Sequence, residues 1–247
     1  MTAYKALTAS LARTSLRDPG TLLFSFLFPP ALLLVLALSA GDLPGEGGHP
    51  VVDDIGPNAM GFGIAFVGMF AGGTNIAEWR EKGVIRVLRN APMSAGSILG
   101  SALTGARVSA LIQSVLVVLV GIIPVVGIHL SAWAAMSVIP VFLGALFFYS
   151  LGVLIGLAVP TESAAAPAAM IVVVPMGFAS GAVMPLEMLP EWVRTLAHVL
   201  PLTYLLDALR WPLTGAAGLR DSLIGCGIIG VAGALLFWAD TRLMRWR

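Results

Sequence analysis

The chain has 247 residues, 58% of them hydrophobic and only 11% charged, with a formal net charge of +1 and a mean hydropathy of +0.94. Soluble globules carry about 25% charged residues, so the composition excludes one and indicates an all-α, polytopic membrane protein. Cys226 is the sole cysteine and lies in an apolar run, which excludes an intrachain disulfide and a cysteine-based metal cage.

Residues 3–18 read as an amphipathic helix lying on the membrane, with Tyr4, Leu7 and Leu11 on one face and Arg13 and Arg17 opposite. Lys5, Arg13 and Arg17 could instead head a cleaved signal peptide. Against that, the segment before the apolar run is long and the run itself has the ~20-residue length of a span. Six membrane spans are expected, at 21–40, 57–77, 107–128, 133–159, 164–184 and 219–239, the first kinked by Pro29 and Pro30. A linker with Asp42, Glu46, Asp53 and Asp54 but no Lys or Arg separates spans one and two. Gly68 and Gly72, and Gly152 and Gly156, form small-residue faces that permit close helix approach.

Between spans two and three lies the densest run of charge, with Glu78, Arg80, Glu81, Lys82, Arg86 and Arg89 within a dozen residues. Residues 185–212 are apolar but broken by Pro185, Pro190, Pro201 and Pro212 and dotted with charge, a pattern that fits two half-length helices dipping into the outer leaflet. There Asp207 and Arg210 can pair at i,i+3. With the amino terminus inside, six spans put Lys5, Arg13, Arg17, Arg80, Lys82, Arg86, Arg89, Arg107, Arg242, Arg245 and Arg247 in the cytosol. Only Arg194, Arg210 and Arg220 remain outside, so both termini are expected to be cytosolic.

On these boundaries the span centres carry no Asp, Glu, Lys, Arg or His, which disfavours coupling to a proton gradient. Neither lysine, Lys5 or Lys82, ends a phosphate-binding loop, so any ATP is hydrolysed on another chain. His49, His129 and His198 lack an H-E-x-x-H context and Ser180–Gly181 lacks the preceding glycine of a nucleophile elbow, so no catalytic residue is expected. No metal or nucleic-acid site is expected either.

Two motifs carry a family resemblance: E-W-R-E-K-G-V-I-R-V-L-R-N-A-P at 78–92, followed by Ile98-Leu99-Gly100, and S-G-A-V-M-P-L-E-M-L-P-E-W at 180–192, continued by P-L-T-Y-L-L-D-A-L-R at 201–210. With the topology, they make the chain resemble the membrane subunits of ABC-2-type ABC transporters, especially the daunorubicin-resistance-type exporters. The resemblance implies an elbow helix at 3–18 and a coupling helix at 78–92 seated on a separate cytosolic ABC ATPase that holds ATP and Mg. It further implies a second permease copy, identical or a sister chain, and location in the cell membrane of a bacterium. The coupling candidates are Glu78, Arg80, Glu81, Gly83, Arg86, Arg89 and Pro92. The outer-gate candidates are Pro185, Glu187, Pro190, Trp192, Pro201, Tyr204, Asp207 and Arg210. Asn75, Gln113 and Tyr149 are polar groups near or within spans that could line a pathway or only bond neighbouring helices.

The plainer reading of 78–92 is a solvated loop whose basic residues hold it inside, and that of 185–212 a surface helix pair covering the bundle. The small outer loop after span one leans toward a small amphiphile, a drug or a lipid as cargo, hence multidrug or lipid export and antibiotic resistance. The alternatives are an ATP-independent carrier or channel, and a membrane scaffold or sensor.

Overall fold

A computed structural model describes residues 23–40, 49–84, 94–184, 186 and 189–244. The expected elbow helix at 3–18, the coupling candidates Arg86, Arg89 and Pro92 and the gate candidates Pro185 and Glu187 lie outside the described residues. All regular structure among the described residues is helical. The elements are α1 (Phe28–Ala40), α2 (Val52–Glu81), α3 (Ala95–Gly121), α4 (Val138–Ala158), α5 (Glu162–Ala179), α6 (Glu191–Ala197), α7 (Pro201–Thr214) and α8 (Leu219–Leu243). Five of these, α2, α3, α4 with the 3-10 turn Ala134–Ser137 before it, α5 and α8, are long and apolar enough to cross a membrane, and Ser25–Ser39 is a shorter apolar stretch. The protein is therefore a multi-pass membrane protein.

The bundle is built around α2. Of its most apolar stretch 89% is buried inside the protein, against 33% for α3, 28% for α5 and 22% for α8, so α2 is the axle and those three form the rim. Around it pack α1, α3, α4, α5 and α7, while α8 lies against α4 and α7. The exposed rim residues, such as Ile112 and Leu119 on α3, Ile171 on α5 and Leu223, Val231 and Leu235 on α8, are what a lipid-facing surface requires. Lipid tails are as apolar as leucine, so the helices are held by close packing rather than by escape from water. That packing is tightest between α2 and α4. Gly68 and Gly72 lie on the backbone of Phe148, Tyr149 and Val153, and Gly152 and Gly156 lie on that of Met69 and Gly73.

Helix ends depart from the hydropathy boundaries for local reasons. Pro29 and Pro30 are preceded by a π-turn at Leu23–Leu27, the widening that accommodates proline rings against carbonyls one turn back. Helix α2 begins at Val52 rather than 57, with Asp53 and Asp54 in its first turn, where the helix dipole favours acids. Pro57 has no N–H for the Asp53 carbonyl, and the Thr214 hydroxyl donates to that carbonyl instead, at 2.8 Å. At its other end α2 continues through Glu78–Glu81, so these coupling candidates form its last turn, not the start of a separate helix. Gly83, at φ +67°, ends the run in the left-handed conformation that glycine adopts without strain.

Helix α3 begins at Ala95, twelve residues before the expected start, because Ser94 caps it by accepting the Ser97 N–H at 3.2 Å. This carries Arg107 away from the expected helix start. Arg107 sits near mid-helix, half-buried, with its guanidinium 5.9 Å from the centre of the Phe142 ring. Arg107 thus lies inside a helix of spanning length rather than at its start. Helix α8 likewise runs past 239 to Leu243 and brings Asp240 into its last turns, fully buried. Helix α5 stops at Ala179, short of 184, where Gly181 adopts φ +84°.

Candidate functional site

The polar groups gather at the two ends of the bundle. At the end that carries Glu78–Lys82, the side chains reach the three-residue turn between α4 and α5. Arg80 Nη1 donates to the carbonyls of Gly156, Leu157 and Val159 at 3.3, 2.9 and 3.0 Å. Glu81 Oε2 accepts the Glu162 N–H at 2.6 Å. Lys82 Nζ lies 2.6 Å from Glu78 and 3.5 Å from Glu162, and its hydrogen bond to Glu78, with Glu162 nearby, holds its ammonium above the usual lysine range. Trp79 is buried behind them with Ile76, Ile98, Leu99 and Met244.

The opposite end holds a second network, centred on Arg210 and Asp53. Arg210 donates to Asp207 at 3.0 Å and to Asn58 at 3.2 Å, and lies 3.8 Å from Asp54. Asn58 in turn donates to the Gly181 carbonyl at 3.1 Å. Asp53 accepts the His129 backbone N–H at 2.9 Å, with the His129 ring 3.3 Å from its other oxygen, and His49 lies 3.7 Å from Asp54. Burial pushes the Asp207 carboxyl up, against the opposing pull of Arg210. Trp133 and Trp211 stack at 6.2 Å, and Ser131 N–H donates to the Leu213 carbonyl at 2.9 Å. Together these contacts join the start of α2, the α3–α4 loop, the end of α5 and helix α7.

The remaining gate candidates frame α6 and α7. Pro190 precedes α6 and Pro201 opens α7, a position where its missing N–H costs nothing. Tyr204 donates its hydroxyl to the His198 carbonyl at 2.6 Å, which holds the corner between the two helices. Trp192 is 71% exposed and lines, with Pro175, Phe178, Val193 and Leu196, an apolar groove of about 530 Å³ between α5 and α6.

The pathway candidates are not gathered around one cavity. Gln113 is fully buried against Gly63 of α2 and Pro29 of α1, and neither amide atom has a hydrogen-bond partner among the described residues. Tyr149 is fully buried against Gly68 and Gly72, and Asn75 is buried on α2. Gly63 and Gly72 are nine residues apart, about half a turn around the helix, so Gln113 and Tyr149 lie on opposite sides of α2.

Sequence reasoning misses Asp53, Asp54, His129 and Thr214, which fall outside the expected spans, and Asn58, which falls at the start of expected span two. The acidic pair just ahead of Pro57 was the available signal for an earlier helix start. Replacing Asp53 by alanine strands the His129 N–H and is expected to cost ~1–3 kcal/mol. Asp53→Asn, which keeps an acceptor, should cost less. Thermal unfolding of the detergent-solubilised protein measures both.

The described residues thus place one polar network at each end of a closely packed helical bundle. No curated protein matches the chain in sequence. The family profile described as ABC-2 type transporter matches residues 2–213, from before α1 through α7. Membrane domains of this family are transport subunits that work with ATPase partners in a bilayer. With that match covering most of its length, the chain belongs to the ABC-2 type transporter family.

Proposed function

We propose that this chain is the permease subunit of an ATP-driven exporter of the daunorubicin-resistance type, carrying a small amphiphile, drug or lipid across a bacterial cell membrane. The observation that carries the reading is the family match over residues 2–213. The excess of Lys and Arg at the end bearing Arg80 and Lys82 supports a cytosolic location for that end and for both termini. There the segment from Glu78 to Pro92 couples the chain to a separate ATPase, which holds ATP and Mg, and a second permease copy completes the pathway. ATP closes the ATPase pair, and the bundles shift between inward- and outward-accessible arrangements. The pair α6–α7 dips into the outer leaflet, and its Asp207–Arg210 network is the outer gate. Gln113 and Tyr149, each with a buried polar group that has no hydrogen-bond partner among the described residues, are the better supported of the pathway candidates.

One observation favours the second reading, an ion-coupled carrier without ATP: Arg107 lies in the middle of α3, and ionisable groups at membrane depth mark ion and substrate paths. Reconstitution separates the two. The exporter reading expects an ABC ATPase to co-purify, and transport in proteoliposomes to stop when the ATPase's catalytic glutamate is replaced by glutamine. Transport by the purified chain alone under an ion gradient would overturn it.

A further inference from the structure

The side chains at the end of α2 do not project freely toward a partner. Arg80 and Glu81 engage the chain's own α4–α5 turn, each where a helix end needs its charge, while Lys82 pairs with Glu78. The last carbonyls of a helix have no intrahelical donor and carry partial negative charge. Arg80 supplies its guanidinium there, within 3.3 Å of three carbonyls at the end of α4. The first N–H groups of a helix lack acceptors and carry partial positive charge. Glu81 supplies its carboxylate there, on the N–H of Glu162, the first residue of α5. Two adjacent residues of opposite charge thus cap two consecutive helices at once.

The cap closes an interface that is already closely packed. The Gly156 carbonyl that Arg80 holds belongs to the residue whose Cα packs on the backbone of Gly73, one step along the α2–α4 seam from Gly152 and Met69. The cap and the glycine seam together tie the last turn of α2 to the end of α4. From the far end of α4 the chain leads back through Trp133, stacked on Trp211 of α7, to the network around Arg210.

We infer that Arg80 and Glu81 are positioning residues, a clamp that makes α2 and α4 one moving body, rather than contacts to the ATPase. The inference rests on the exporter reading. It reassigns Arg80 and Glu81 from the docking surface to the transmission behind it.

The test uses the permease–ATPase complex in proteoliposomes. In the Arg80→Ala variant the ATPase is expected to co-purify as with the unmutated chain and to keep hydrolysing ATP, while cargo moved per ATP falls by roughly 5- to 150-fold, the span of typical coupling energies. Arg80→Lys, a point charge without the planar fork, should restore part of that ratio. A second experiment does not depend on how well Arg80→Ala folds. In a Cys226→Ala background, Glu81→Cys and Glu162→Cys joined by a short thiol-to-thiol linker should leave transport intact, because the clamp stays shut throughout the cycle. Loss of ATPase binding in Arg80→Ala would make Arg80 a docking residue and overturn the inference. An unchanged cargo-to-ATP ratio, or arrest by the linker, would overturn it as well. Failure of the exporter reading itself shows separately, as an unmutated chain that neither binds an ATPase nor transports with one.

Discussion

Replacing Gly152 by leucine is expected to abolish recovery of folded protein. A side chain there points at the backbone of Met69 on α2, and the atoms in the way are main-chain atoms that no rotamer change can move aside. Overpacking a core of side chains costs ~1–3 kcal/mol. Here two helix backbones would have to separate along the tightest seam of the bundle, so the loss should exceed that range. Gly152→Ala should already lower the melting temperature. The control is Gly227→Leu on α8, where a Cβ meets nothing within 4 Å and the residue faces outward. That change removes a helix-interior glycine worth about 1 kcal/mol and should leave yield and melting temperature equal or better. Size-exclusion profiles of the two variants in detergent decide the matter, and equal yields would mean the α2–α4 contact is looser than the structure has it.

The second large effect is expected at Arg210. Its guanidinium is the shared cation for Asp207 and Asp54 and the donor to Asn58, so Arg210→Ala leaves two part-buried carboxylates facing each other without it. The expected stability loss is ~1–3 kcal/mol. Arg210→Lys keeps the charge, cannot reach three partners in one plane, and should recover only part of it. If this network is the outer gate, the alanine variant also leaks, which passive efflux of a small dye from proteoliposomes would report. A variant that is destabilised but tight would reduce the network to a structural tie between α7 and the start of α2.

Much was legible in the one-dimensional pattern, because apolar runs of spanning length and the placement of Lys and Arg are local properties. The all-helical membrane class, the ABC-2 type family and the two short helices, one after Pro190 and one opening at Pro201, could be read from runs, prolines and motifs. Where helices end could not, because ends are set by whatever satisfies their unpaired backbone groups, and those groups are often far away in the chain. Pro57 looked like the start of span two, yet α2 begins at Val52 because Thr214 serves the Asp53 carbonyl that Pro57 cannot. Arg107 looked like a boundary residue until the Ser94 cap set the start of α3 and carried it to mid-helix. The charged run after span two was conspicuous in sequence, but the partners of Arg80 and Glu81 lie 76 to 81 positions further on. Sequence alone determined that this chain lives in a bilayer and which family it belongs to. Only the tertiary structure decided which charges are occupied within the chain, because an ion or hydrogen-bond pair is set by distance in space, and the α2–α4 glycine seam brings those distant positions together.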